Sequence, residues 1–134
     1  MRQQQKVEGF AAGIDKQWVV EFDDEFADEV RQLHQAVREK LKAVAVILSE
    51  DGPQLGRPYS DTLKGSRHAN MKELRFDAGG GAWRVAYAFD PERKAILLVG
   101  GDKSGVGQTR FYRNLLRIAD ERLDQHLRIL RLKR

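Results

Sequence analysis

Four charged residues in the second half of the sequence have the types and spacing to act together on a phosphate group. Glu73 and Arg75 stand two positions apart in one apolar stretch, and Arg84 lies in the next such stretch. Lys103 comes four residues after the end of a third, residues 95–99. Cross-strand neighbours lie about 4.5–5.5 Å apart at Cβ, so such side chains on adjacent strands can surround one phosphate. The plainer alternative is a surface salt bridge between Glu73 and one of the arginines.

Four more residues are candidates for binding the rest of a nucleic acid. Arg67 and Lys72 precede Glu73 and could hold flanking phosphates. His68 lies in a polar loop, where a histidine is either a proton carrier or an ordinary surface residue. Tyr112 could stack on a base or could anchor a helix to the core. For His68 and Tyr112 the residues alone leave both interpretations open.

The composition excludes several other chemistries. The 134 residues include no cysteine, which excludes a thiol nucleophile, a disulfide scaffold and a zinc ribbon. The three histidines form no close pair, so we expect neither a metal site nor a cofactor. Residues 100–105 look like a phosphate-binding loop, but Asp102 stands where a Walker A motif needs glycine. The longest apolar run, residues 44–48, is too short to span a bilayer, so we expect a cytoplasmic protein without membrane contact.

The net charge of +4 hides an asymmetry along the chain. Up to Gly56 there are seven basic and eleven acidic residues, whereas from Arg57 onward there are seventeen basic and nine acidic. A basic second half suggests a surface for a polyanion, nucleic acid first, although scattered charge can also be an ordinary solvated surface.

Hydrophobic periodicity predicts the elements that must position these residues. Residues 17–22 alternate as a strand, and apolar residues then recur every three or four positions over residues 22–48, which predicts a long helix. At about 1.5 Å per residue that helix is long for so small a domain, so we expect it to break near residues 39–43. Three further strands are predicted at residues 71–76, 83–89 and 95–99. A second helical stripe begins at Thr109.

The predicted order is β-α(α)-β-β-β-α, which indicates an α+β domain. Short turns between the last three strands favour an antiparallel meander, with the helices packed on one face of a small antiparallel sheet. We expect a single domain over residues 17–134 and a loosely attached arm over residues 1–16.

An ordered series of short motifs resembles a known family. The series is Leu63-x-Gly65-x-Arg67, Glu73-Leu74-Arg75, Arg84-x-x-Tyr87, a strand, and then Lys103. It resembles the RelE/ParE superfamily of type II toxins and is most similar to the HigB-like, phage-type branch. The resemblance covers about residues 18–127 and implies a RelE-like fold, with helices covering a small antiparallel sheet.

The resemblance implies a toxin that cleaves mRNA, commonly on the ribosome, and is neutralised by a cognate antitoxin. In the HigB-like branch the antitoxin is usually a helix-turn-helix protein, and operator DNA is bound only by the toxin–antitoxin complex. The resemblance assigns Arg84, Arg75 and Lys103 to the site. Glu73 stands where lysine-rich RelE members carry lysine, so a lysine base cannot be assumed at this position.

The chemistry expected of such a site needs no metal. The 2′-hydroxyl of the RNA attacks the adjacent phosphorus, with Glu73 as base, Arg75 and Arg84 as charge stabilisers, and Lys103 as stabiliser or leaving-group acid. Two alternatives stay open. One is a ParE-like inhibitor of DNA gyrase without a nuclease site. The other is a non-catalytic RNA-binding module. The scarcity of aromatic residues on the exposed face of the predicted sheet argues against this module, because stacking on bases would need them. The converging charges favour the nuclease.

Overall fold

The computed structural model describes residues 17–133, so the predicted N-terminal arm over residues 1–16 lies outside the described residues. The elements in chain order are β1 (Val20–Phe22), α1 (Asp24–Arg31), α2 (Gln35–Asp51), β2 (Ser60–Thr62), β3 (Lys72–Ala78), β4 (Gly81–Phe89), β5 (Ala95–Asp102) and α3 (Gln108–Leu132). The predicted α+β class is confirmed. None of the helices within this described part of the chain is both long and apolar enough to cross a membrane.

The helical segment breaks earlier than its periodicity predicts. The break lies between Arg31 and Gln35, not at residues 39–43. His34 caps the second helix, since its Nδ1 accepts a hydrogen bond from the Ala36 amide at 3.2 Å. The apolar stripe continues across this break, so hydrophobic spacing alone could not locate it.

The sheet is mixed, whereas the sequence predicts an antiparallel one. Its strand order is β1-β5-β4-β3-β2, with β1 parallel to β5 and the other neighbouring pairs antiparallel. The sequence does not predict the edge strand β2, because its three residues are too few to show an alternation of apolar and polar side chains.

Helices cover both faces of the sheet, so the expectation of helices on one face is wrong. Helices α1 and α2 pack over one core, which contains Leu74, Val85 and Tyr87. Helix α3 packs over the other, where Ala86 and Ala88 of β4 meet its apolar stripe. Small side chains on that face let α3 approach the strands closely. The face opposite the first core is therefore only partly open to a ligand.

The end of β5 is shaped by an irregularity in its pairing and by Gly101. Ala86 pairs with Val99 while Tyr87 pairs with Leu97, which leaves Leu98 as an extra residue in β5. A Cβ on Gly101 would lie 3.0 Å from a ring carbon of Phe111, so the glycine admits the first turn of α3 against the sheet. This close approach sets the position of the next residue of α3, Tyr112.

Candidate functional site

Three strand residues and one helix residue form what we call the Glu73 cluster: Glu73, Arg75, Arg84 and Tyr112. Glu73 and Arg75 are alternate residues of β3, so they share a face, and Arg84 pairs with Arg75 across the sheet. Tyr112 comes from the first turns of α3. The structure thus brings together three of the four predicted catalytic residues and one predicted RNA-binding residue.

The carboxylate of Glu73 is buried at the centre of the cluster. The Tyr112 hydroxyl donates to its Oε1 at 2.8 Å, and Arg75 Nη1 donates to its Oε2 at 2.9 Å. Arg84 Nε lies 4.0 Å from Oε1, and the Glu73 side chain is 5% exposed. A carboxylate buried this deeply needs compensating partners, and here cations and a hydroxyl supply them.

Arg84 is also buried, and one of its N–H donors has no hydrogen-bond partner among the described residues. Its Nη1 donates to the carbonyl of Trp83 at 2.8 Å. Its Nε is buried without a hydrogen-bond partner in residues 17–133. Buried polar groups are nearly always paired, so this guanidinium donor beside a carboxylate is available to bind a ligand.

Tyr112 is held in its neutral form. Burial raises the pKa of its hydroxyl, and the hydrogen bond to the Glu73 carboxylate raises that pKa further, while Arg84 acts in the opposite direction. At neutral pH the Tyr112 side chain is therefore a protonated hydroxyl that donates to Glu73. It can transfer this proton to Glu73 only if it accepts another proton at the same time.

A cleft of about 320 Å³ opens beside the cluster at the edge of the sheet. The cleft forms because the paired part of β2 and β3 ends at Leu74. The next amide of β3, that of Arg75, bonds to the Tyr59 carbonyl at 2.8 Å, just before β2 begins. Its lining consists of Lys40, Pro58, Tyr59, Arg75, Phe76, Asp77 and Arg84. Three cations against one carboxylate suit the cleft to an anion such as a phosphodiester.

Sequence reasoning missed two of these residues, Lys40 and Tyr59. Lys40 lies on the exposed face of α2, where nothing in the sequence distinguishes it from other surface lysines. Tyr59 is 38% exposed, an unusual position for an aromatic ring in this protein. A base could stack on such a ring, a use that its place outside any predicted strand did not suggest.

Lys103 is not joined to the Glu73 cluster. Its amide bonds to the Ala82 carbonyl at 2.9 Å, so it continues the β5 pairing two residues beyond Gly101, the partner of Arg84. By alternation it lies on the same face as Arg84. Within the described part of the chain its ammonium makes no ion pair.

Lys72 lies on the opposite face of the sheet from the cluster. It precedes Glu73 in β3, and its Nζ donates to the Pro53 carbonyl at 3.1 Å, on the side covered by α2. The sheet therefore separates it from the other candidates.

Arg67 and His68 are held by α3 at a distance from the cluster. Both side chains bond to Asp124, His68 through Nε2 at 2.7 Å. Burial acts to raise the pKa of Asp124, but the bonds from His68 and Arg67 hold that pKa below its usual value. Asp124 lies twelve residues beyond Tyr112, or about 18 Å along the helix. These two residues therefore fix the loop of residues 64–70 to α3.

Comparisons with known proteins agree with this architecture. The family described as phage derived protein Gp49-like (DUF891) matches residues 28–124. Two Mycobacterium tuberculosis proteins named as candidate toxins are similar: HigB2, 46% identical over 90 residues, and HigB3, 48% identical over 81 residues. The matches cover 66% and 60% of this chain, respectively. The chain spans 44% of HigB2, less than half, and 68% of HigB3.

A solved structure has a similar fold. A variant of the E. coli toxin RelE in the free state, with two arginines replaced by alanine, superposes with a TM-score of 0.56 at 19% sequence identity. The match covers 75% of this chain and 95% of that one. The expected RelE-like fold is confirmed. None of these three similar proteins is named as a gyrase inhibitor, so the ParE-like alternative gains no support.

Proposed function

The chain belongs to the phage-derived, Gp49-like family, and from that premise we propose that it is the toxin of a type II toxin–antitoxin pair and cleaves mRNA. The observation that carries the proposal is the Glu73 cluster: a buried carboxylate, hydrogen-bonded to Tyr112 and Arg75, beside a cleft lined by three cations. The HigB names of the relatives support the toxin assignment.

In this proposal the scissile phosphate occupies the cleft. Arg75 and Arg84 belong both to the cluster and to the cleft lining, so their remaining N–H groups are placed to meet the phosphate oxygens. Glu73 fixes the Arg75 guanidinium through Nη1, which leaves its other donors for the substrate. Preorganised donors of this kind stabilise the negative charge that grows on phosphorus during attack.

The proton of the attacking 2′-hydroxyl moves through Tyr112 to Glu73. The Glu73 carboxylate is buried, with a side chain only 5% exposed, and the Tyr112 hydroxyl that bonds to its Oε1 is the group placed to carry a proton to it. In the relay, Tyr112 Oη receives the 2′-hydroxyl proton while its own proton passes to Glu73 Oε1. The 2′-oxygen then forms a bond to phosphorus and the bond to the 5′-oxygen breaks, which leaves a 2′,3′-cyclic phosphate and a 5′-hydroxyl.

The leaving 5′-oxygen needs a proton, and two ammonium groups are candidates to supply it. Lys103 is the residue expected from the sequence, and it shares the face of Arg84. Lys40 lines the cleft itself. Geometry favours Lys40, because a general acid must come within hydrogen-bond reach of the leaving atom.

The expected partners follow from the same proposal. They are mRNA, the ribosome and a cognate antitoxin of the helix-turn-helix type, with operator DNA bound only by the complex, all in the cytoplasm. Arg67, His68 and Lys72 lie away from the cleft, so any contact they make with RNA would be at flanking nucleotides.

Expression of the chain with and without the protein encoded beside it tests the proposal. New 5′ ends in cellular mRNA, suppressed by the neighbouring protein, with DNA gyrase supercoiling unaffected, are the expected result. Inhibited gyrase with intact mRNA would support the ParE-like alternative and refute the proposal. Cleavage by the purified protein should persist in EDTA, and a strict need for Mg²⁺ would refute the metal-free chemistry.

A further inference from the structure

A second concave surface lies at the opposite edge of the sheet from the cleft. It is a groove of about 500 Å³ between the end of β5 and α3. Arg84 of the Glu73 cluster pairs with Gly101 of this groove, whereas Glu73 and Arg75 lie one strand further away, on β3. We call it the β5 groove, and its floor is formed by Val99, Gly100, Gly101, Phe111 and Ile118. The chemistry proposed above uses none of these residues.

One wall of the groove is an open strand edge. Strand β1 pairs with β5 only at residues 95–97, so residues 99–102 have no neighbouring strand on that side. The Lys103 amide points to β4, so by alternation the backbone groups of Gly100 and Asp102 point away from β4. No other backbone in residues 17–133 bonds to them there. An open edge of this kind is a ready template for another strand.

The other wall carries positive charge. Arg110, Arg113 and Arg117 are exposed residues of α3 that line the groove. Arg117 Nη1 lies 3.7 Å from Glu121 Oε1, so these two residues form an ion pair. Arg110 and Arg113 make no ion pair within the described residues. Among residues 17–133 no carboxylate lines the groove itself, although Glu121 lies beside Arg117 and the Asp102 carboxylate accepts hydrogen bonds from the Ala82 and Ser104 amides. An acidic ligand would therefore meet unpaired positive charge at Arg110 and Arg113.

We propose that the β5 groove receives an extended acidic segment of a protein partner, which adds as a strand to the edge of β5. The free backbone groups of Gly100 and Asp102 supply main-chain hydrogen bonds, the apolar floor accepts alternate side chains, and the arginines select for acidic ones. An RNA strand could use the arginines and the Phe111 ring, but it has no strand backbone to pair with the edge of β5. That the partner is the antitoxin rests on the proposed function, whereas the docking surface does not.

The test uses two probes on the full chain. The first is the purified protein encoded beside this gene, studied by amide hydrogen exchange. The second is a seven-residue peptide of alternating valine and glutamate, studied by NMR, with a lysine-for-glutamate peptide as its control. We expect slower exchange at Gly100 and Asp102 with the first probe, and shifted Gly100 and Gly101 amide signals with the acidic peptide alone.

Charge reversal provides the matched comparison. The double variant Arg113→Glu with Arg117→Glu should weaken binding of both probes at least about tenfold. Arg128→Glu, an exposed arginine of the same helix outside the groove, should leave it unchanged. Slowed exchange elsewhere with the β5 edge unaffected, or reduced RNA affinity in the double variant with protein binding intact, would overturn the proposal. If the peptide binds but the neighbouring protein does not, the surface stands and the antitoxin assignment falls.

Discussion

Replacement of Tyr112 by phenylalanine separates a proton relay from a structural anchor. The change removes one hydroxyl, which donates to Glu73 Oε1 at 2.8 Å. It keeps the ring, which packs edge-on against Phe111 with centroids 5.2 Å apart. The bonds from Arg75 to Glu73 and from Arg84 to Trp83 do not involve the lost atom. The variant therefore tests the hydroxyl alone.

Two magnitudes follow from this geometry. Loss of a hydrogen bond to a charged group costs about 1.5–3 kcal/mol of unfolding free energy. Loss of a general base pathway costs about 10²–10⁴-fold in rate. We therefore expect Tyr112→Phe to fold with modestly reduced stability and to cleave at least about 100-fold more slowly, with little change in KM, because no donor to the phosphate is removed.

The assay is single-turnover cleavage of an end-labelled RNA at saturating protein, beside urea unfolding of the same samples. Tyr87→Phe is the matched control, since Tyr87 is fully buried and its hydroxyl bonds to Ser60 Oγ at 2.6 Å in the core under α1 and α2. It should lose comparable stability and keep the wild-type cleavage rate. A folded Tyr112→Phe protein that cleaves as fast as wild type would refute the relay.

Three further outcomes are expected. Lys40→Ala should slow single-turnover cleavage about 10²-fold or more while Lys103→Ala slows it less, and the reverse order would reassign the leaving-group acid. Arg122→Met should lower the free energy of unfolding by about 2–3 kcal/mol, as measured in urea. The reason is that the Arg122 side chain is only 11% exposed and bonds to Glu29 and to the Leu98 carbonyl of β5. An unchanged urea midpoint of unfolding would contradict this. Burial acts to raise the pKa of Asp90, but bonds from an α3 histidine and two backbone amides hold that pKa below its usual value. Its contribution to stability is therefore present above about pH 4 and is lost as the pH falls further, so Asp90→Asn should be less stable than wild type at pH 7, and pH-dependent urea unfolding should show that difference shrinking at acidic pH.

The positions of Glu73, Arg75 and Arg84 could be predicted because strand alternation is a local property. Once β3 and β4 were recognised, period two placed the three side chains on one face. The faces of Leu74 and Val85 followed from the same rule, and both lie in the core under α1 and α2. Short-range patterns thus provided the centre of the candidate site.

The rest depended on contacts between residues far apart in sequence. Nothing local in α3 shows that Tyr112 bonds to Glu73, thirty-nine residues away, or that α3 covers the second face of the sheet. The same holds for Arg67 and His68, whose partner Asp124 lies in another element. Lys72 is adjacent to Glu73 in β3, so the two side chains point to opposite faces, and Lys72 bonds to Pro53 on the side of α2.

The most direct test of the central claim is the chemical nature of the cut ends. Wild-type protein and Arg84→Ala are each incubated with end-labelled mRNA, without ribosomes in EDTA and separately with ribosomes in Mg²⁺ buffer, and the fragment termini are identified. We predict 2′,3′-cyclic phosphate and 5′-hydroxyl ends from the wild type, and a rate about 10²–10³-fold lower for Arg84→Ala. An mRNA left intact by the wild type in both conditions, or an equal rate for a folded Arg84→Ala protein, would contradict the account.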